Sequence, residues 1–245
     1  MSHNVYDDGS FFEQYNKIRN KAESYNNTIE QPSMKELLPN LQNKAVLDLG
    51  CGLGCNCMDF LEKGAAKVIG VDISEKMIDA AKKQSEDKNV EYIRLDMQNI
   101  DEIEEKFDFV YSSLAIHYIF DFEGLLKKIY DILNENGIFL FSQEHPLATA
   151  PLEGPSWIKD EQGKKLSSTI SNYLENGERN IKWLGENTTK HHRTFSYIIN
   201  SLVENSFSIE KIVEPAPSAK ALEIAPFMYD EFHRPTAIII KAQRV

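Results

Sequence analysis

The sequence predicts an α/β protein: a mostly parallel sheet with helices on both faces. Three observations predict it. Strand-sized apolar runs alternate with helix-sized segments from about residue 44 to 142. Those runs are rich in Val, Ile and Leu without polar alternation, as strands buried on both faces are. A glycine-rich turn, Asp48 to Gly54, joins the first run to a helix. Such a rhythm implies βαβ units with right-handed crossovers.

The elements follow in order. The first forty residues read as helical and partly amphipathic, with Phe11, Phe12, Tyr15 and Ile18 near helical spacing and Pro32 and Pro39 as punctuation. Lys44–Leu49 is a strand, Cys55–Lys63 a helix stopped near Gly64, and Lys67–Val71 a second strand. Ser74 caps a helix to Gln84 whose apolar stripe is Met77, Ile78 and Ala81. Val90–Leu95 and Phe107–Ser112 are the third and fourth strands; a helix over Phe122–Leu133, ended by Asn136-Gly137, leads to a fifth at Gly137–Ser142. Glu144–Lys190 then breaks the rhythm with Pro, Gly, Asn and charge, and is long for a plain connection, which favours a lid or substrate-binding insertion. Arg193–Asn205 is helical, and Ser208–Val213 and Thr236–Ala242 are the last strands. The expected organisation is one domain: a helical cap over 1–43, a core over 44–143, an insertion over 144–192, and a closing helix and strand pair over 193–245.

Composition narrows the function. With 245 residues, 42% hydrophobic, the chain is expected to bury a large core. Its net charge of -11 argues against a nucleic-acid face and against an anionic membrane surface. No apolar run is long enough to span a bilayer and the start has no secretory pattern, so a cytoplasmic protein is expected. Cys51, Cys55 and Cys57 crowd within seven positions with no distant partner, which suits free thiols in a reducing compartment. Their spacing suits neither a metal nor an iron–sulfur site; they read as small packing residues. No other set of residues has metal-ligand spacing.

The turn Asp48-Leu49-Gly50-Cys51-Gly52-Leu53-Gly54 carries the chemistry. Glycines bring backbone close to a ligand, and the helix start adds oriented N–H groups. Asp72 ends the second strand about twenty residues on, where a carboxylate accepts from ribose hydroxyls. Asp96 follows the third strand, so three acids meet at one crevice. A dinucleotide turn would need a third glycine at position 55, which is Cys55, and a carboxylate at Asp48 would repel a pyrophosphate. An ammonium-bearing cofactor tolerates that acid.

The segments VLDLGCGLG (Val46–Gly54), VIGVDIS (Val68–Ser74), RLDMQNI (Arg94–Ile100) and FDFVYSSLAIHYI (Phe107–Ile119) resemble the class I S-adenosylmethionine-dependent methyltransferases of small-molecule type. The resemblance is strong over residues 44–142 and holds in outline for the closing helix and strands. It implies a Rossmann-like seven-stranded sheet in the order 3-2-1-4-5-7-6 with the last strand antiparallel. It further implies S-adenosylmethionine as cofactor, with S-adenosylhomocysteine as product. Gly50 and Gly52 would face the methionine part, Asp72 the ribose, Ile73 and Met97 the adenine faces and Asp96 the adenine amino group. The Leu114 backbone would meet the ammonium, and Asp48, Cys51 and Met77 join the cofactor set. Tyr15 and Arg19 lie on an N-terminal helix that closes over the cofactor in similar enzymes; a core-facing helix is the competing reading.

The acceptor is expected to be a small, partly apolar or cationic molecule, methylated on N, O or C. His117 follows strand four beside the crevice and is a candidate base; a structural histidine is the competing reading. His145 is a second candidate. Both, with Trp157 and His192, are candidate substrate contacts, and His191 and Arg193 flank the last of these. Tyr173, Trp183, Tyr229 and Phe232 add aromatic surface. An NAD-dependent oxidoreductase and a non-catalytic S-adenosylmethionine-binding protein are the alternatives. The oligomeric state stays open between monomer and homodimer.

Overall fold

The computed structural model describes residues 4–85 and 89–245; the first three residues of the expected cap lie outside the described residues. Helix α1 (Gly9–Arg19) begins where the Asp8 carboxylate accepts from Phe11 N–H at 2.9 Å. A π-helical turn, Asn26–Glu30, runs directly into α2 (Gln31–Glu36). The core then alternates β1 (Ala45–Leu49), α3 (Cys55–Glu62), β2 (Lys67–Asp72), α4 (Glu75–Gln84) and β3 (Val90–Arg94). It continues through β4 (Phe107–Ser112), α5 (Phe122–Ile132) and β5 (Leu133–Glu144). Ser74 caps α4 by accepting from Met77 N–H at 3.2 Å, an interaction worth about 1 kcal/mol.

The insertion is more ordered than its composition suggests. It holds a short helix, α6 (Pro146–Thr149), and two antiparallel hairpins, β6 (Ser156–Lys159) with β7 (Lys165–Thr169) and β8 (Gly177–Trp183) with β9 (Glu186–His192). The second hairpin turns on Leu184-Gly185, both with positive φ, the conformation a two-residue hairpin loop requires. Helix α7 (Phe195–Glu204), β10 (Phe207–Val213), α8 (Ala219–Ile224) and β11 (Ala237–Arg244) complete the chain.

The main sheet has the order β10-β11-β5-β4-β1-β2-β3. β1 to β5 are parallel, and β11 runs antiparallel to both β5 and β10. This is the expected order 3-2-1-4-5-7-6 once the two small hairpins are set aside. Alternate residues of each strand feed opposite layers. Leu47, Ile69, Val110 and Phe139 join the α5–α7 layer. Val46, Val68, Phe109 and Leu140 join the α2–α3–α4 layer. Burial on both faces explains the unbroken apolar runs. It also leaves the carboxyl ends of β1, β2, β3 and β4 as the open rim where such sheets place ligands.

Candidate active site

The glycine turn is fastened to the end of β2. Gly50 and Cys51 N–H both donate to the Val71 carbonyl, at 2.8 and 2.9 Å, and Gly52 N–H donates to Asp72 Oδ2 at 3.0 Å. The other Asp72 oxygen accepts from Ser74 N–H at 2.9 Å, so one carboxylate ties the turn to the start of α4. Gly50 has φ +72°, and a Cβ there would lie 2.7 Å from Ala115 Cβ. The backbone therefore comes this close only with glycine.

Two cavities meet on the turn. One, of about 370 Å³, is lined by Asp72, Ile73, Met77, Asp96, Met97 and Leu114. The other, of about 510 Å³, is lined by Tyr15, Arg19, Cys51, His117, Glu144 and Arg234 among others. Both have Tyr6, Gly50, Gly52, Ser113, Leu114 and Tyr118 in their walls. Asp96 lines the smaller cavity and also caps a helical turn, accepting from Gln98 N–H at 2.9 Å. Leu114 holds φ +52° because its N–H is anchored to the Ser142 carbonyl and hydroxyl, at 3.1 and 2.9 Å.

Three carboxyls gather around the turn, Asp48 and Glu30 buried and Asp72 half-buried. Asp48 is 1% exposed and lies beneath the turn, outside both cavity walls. Its Oδ2 accepts from the Cys57 thiol at 3.4 Å, while Oδ1 has no hydrogen-bond partner among the described residues. Burial pushes its pKa from 3.8 up to about 7. Burial also raises Asp72, to about 6, against the pull of its backbone hydrogen bonds. Glu30 is raised by burial as well, although Ser113 and Ser142 hydroxyls donate to it at 2.8 and 2.6 Å. Arg19, whose charge acts on both Asp48 and Glu30, has its Nη1 buried without a hydrogen-bond partner among the described residues.

The cysteines divide. Cys51 and Cys57 are buried free thiols hydrogen-bonded to one another, which with burial holds the Cys57 thiol above its usual pKa. Cys55 is exposed, so it is not the packing residue its neighbours are.

The histidines depart from the sequence reading. His117 does line the larger cavity, but its Nδ1 accepts from Glu144 N–H at 3.3 Å. The ring proton then sits on Nε2, and burial pushes the pKa down to about 3. A ring that is already a donor on its free edge and resists a second proton is a poor base; it is suited to donating a hydrogen bond. His145 lies off both cavity walls. Its Nδ1 caps α6, accepting from Leu147 N–H at 3.1 Å, and its Nε2 pairs with Glu214 at 2.9 Å. His192 is fully buried, with Nδ1 on the Thr149 hydroxyl and Nε2 on the Tyr173 carbonyl, both at 2.8 Å. Arg193 Nη2 donates to the Ile119 and Phe120 carbonyls, its Nη1 is buried without a partner among the described residues, and the residue lies off both cavity walls. Trp157 belongs to a separate, smaller cavity next door. These side chains hold the insertion and the closing elements together; only His117 reaches the larger cavity.

Several residues at the site carry no sequence motif. Tyr6 precedes α1, donates to Tyr118 Oη at 3.2 Å, and packs edge-on against Phe11, Tyr15 and Trp183. Asp7 beside it accepts from the Ser74 hydroxyl at 2.6 Å, pinning the N-terminal segment to α4. Lys190 on β9 is paired with Glu144 at the end of β5, and Arg234 lines both the larger cavity and the neighbouring one that holds Trp157. They converge from positions far apart in the chain, which no local pattern reveals.

The fold and paired cavities define an α/β protein of doubly wound type whose glycine turn borders two adjoining cavities at the carboxyl ends of the strands. Residues 40–197 match the model of a family described as a methyltransferase domain. An uncharacterized protein of Haemophilus influenzae is 41% identical over 251 aligned residues, covering 98% of this chain and 97% of its own length. A protein from Listeria monocytogenes, solved as an S-adenosylmethionine-dependent methyltransferase, superimposes with a TM-score of 0.82 at 38% identity, covering 88% of this chain and 96% of that one. An S-adenosylmethionine-dependent methyltransferase from Mesorhizobium loti gives the same TM-score at 33% identity, covering 93% of this chain and all of its own. The chain belongs to the methyltransferase-domain family and is an S-adenosylmethionine-dependent methyltransferase of class I fold. Among the described residues, no helix is long and apolar enough to cross a membrane.

Proposed function

We propose that the protein methylates an N, O or C atom of a small molecule bound in the larger cavity. The observation that carries this reading is the junction of the two cavities at Gly50, Gly52 and Leu114. The smaller cavity has the acids and apolar faces that suit an adenosine. The larger one, at about 510 Å³, is of the size that small ligands occupy.

The residues present fit S-adenosylmethionine. Arg19 Nη1, buried and unpartnered, suits the methionine carboxylate, with Tyr15 beside it. Asp48 Oδ1, equally unpartnered, supplies negative potential for the ammonium from beneath the turn, together with the Leu114 backbone. Asp72 suits the ribose hydroxyls, Ile73, Met77 and Met97 the adenine faces, and Asp96 its amino group. Gly50, Cys51 and Gly52 form the floor. The bound cofactor supplies a methyl group already activated by its sulfonium charge.

The chain's own residues then align and seal. Displacement at a methyl group requires the nucleophile in line with the leaving sulfur and water kept out. Tyr6, Tyr118 and Trp183 wall the larger cavity with aromatic surface, and Tyr6 and Tyr118 stay protonated because burial raises both phenols. With His117 neutral and a donor, it orients the acceptor instead of deprotonating it. An acceptor already ionised at neutral pH needs no base.

Transfer of labelled methyl from S-adenosylmethionine to a small-molecule panel sorted into carboxylates, phenols and amines tests the reading. Labelled product from one class supports it. Label transferred only to protein or RNA, or to nothing while S-adenosylmethionine binds, contradicts it; the last result favours a non-catalytic binding protein.

A further inference from the structure

Apart from Arg19 at the turn, the wall of the larger cavity holds one buried cation with no ion pair or side-chain hydrogen bond among the described residues; the Glu231 and Glu144 charges act on it without pairing with it. Its basic wall residues are Arg19, Arg179, Lys182, Lys190 and Arg234. Arg179 is consumed by backbone carbonyls, including Ala150 at 3.0 Å and Glu175 at 2.7 Å. Lys190 is paired with Glu144, Lys182 is exposed, and Arg19 sits at the turn, where the cofactor's carboxylate accounts for it. Arg234 remains. It is only 7% exposed, and its Nε and Nη1 are buried with no hydrogen-bond partner.

The acids around Arg234 are engaged elsewhere. Glu231 accepts from Thr236 N–H and hydroxyl at 2.7 and 2.6 Å. Glu144 is taken by Lys190, and Asp230 accepts from Lys165 at 2.7 Å. Trp157 supports the guanidinium, which lies 4.8 Å from the ring centroid. A stacked, immobilised guanidinium presents its fork in a fixed direction. Leaving such a charge buried and unpaired is costly, and a carboxylate or phosphate is the partner its geometry matches.

We propose that Arg234 is an anion anchor and that the acceptor carries a carboxylate or phosphate group held by this guanidinium. The inference rests on the larger cavity being the acceptor site. It departs from the expectation of a partly apolar or cationic acceptor in requiring an anionic group on that molecule.

The test is binding of benzoate, phenyl phosphate and benzamide to the S-adenosylhomocysteine-loaded protein. It is followed through the indole N–H resonances of Trp157 and Trp183, the two tryptophans of the chain, assigned with Trp157→Phe. Benzoate or phenyl phosphate should shift the Trp157 resonance saturably, and benzamide should not; whichever anion binds more tightly identifies the group. Arg234→Gln should weaken that anion about tenfold or more, the size of a lost charge-assisted hydrogen bond, while affinity for S-adenosylhomocysteine stays within about twofold. Equal binding of benzamide and benzoate in the wild type overturns the proposal, and so does anion affinity unchanged in Arg234→Gln. The wild-type contrast decides even where the variant fails to fold. Failure of the wild type to bind S-adenosylhomocysteine would instead count against the methyltransferase reading, and the anion titration run without it still decides the role of Arg234.

Discussion

Replacing Asp48 with Asn should flatten the fall in stability that the cofactor-free protein shows between pH 5 and about pH 8. Asp48 is buried under the turn, and burial raises its pKa from 3.8 to about 7. For such a group the stability contribution is full below 3.8 and is lost as pH rises to about 7, because the unfolded chain releases the proton first. From pH 5 upward the folded state resists ionisation over about two pH units, at about 1.4 kcal/mol each, so wild type should lose about 3 kcal/mol relative to Asp48→Asn. The asparagine amide has its own cost at the unpartnered Oδ1 position, but that cost does not vary with pH and cancels in the difference. Urea unfolding followed by circular dichroism at the two pH values measures it. Parallel stability curves for the two proteins would refute the reasoning. The same substitution removes negative charge beneath the turn and should weaken S-adenosylmethionine binding.

Gly50→Ala should abolish measurable cofactor binding and destabilise the fold by about 1–3 kcal/mol, the range for a non-glycine residue forced to positive φ; calorimetry and urea unfolding report the two effects. His117→Asn should lower the rate without removing an ionisation from the pH–rate profile, since His117 is neutral throughout the working range with a pKa near 3; loss of a limb near pH 6 to 7 would restore it as the base. Arg19→Ala should raise the dissociation constant of S-adenosylmethionine about tenfold with little change in urea stability; equal affinity in wild type and variant would remove Arg19 from the cofactor site.

The turn, the alternating core and the closing strands were legible because each is a local matter: glycines after an apolar run, a serine cap, an unbroken Val/Ile/Leu stretch. The four strands of the insertion were not. Lys165–Thr169 has one apolar residue, Leu166, and Glu186–His192 has none, so the period-2 signature is missing. Their order comes from tertiary contacts such as Arg179 on the Ala150 carbonyl. Sequence position placed His145 beside the crevice and made His192, on the far side of the insertion, a candidate substrate contact, but carried no information on where their rings point. One caps a helix and the other bridges Thr149 to the Tyr173 backbone. Arg234 lies far along the chain from the glycine turn, and only folding brings the two into adjoining walls.

The central claim is that the Asp48–Gly54 turn holds S-adenosylmethionine and not a dinucleotide. Titration calorimetry of the wild-type protein with S-adenosylmethionine, S-adenosylhomocysteine and NAD tests it most directly. The structure predicts one saturable site for the first two and no heat of binding for NAD. Saturable binding of NAD with none of S-adenosylmethionine would contradict it.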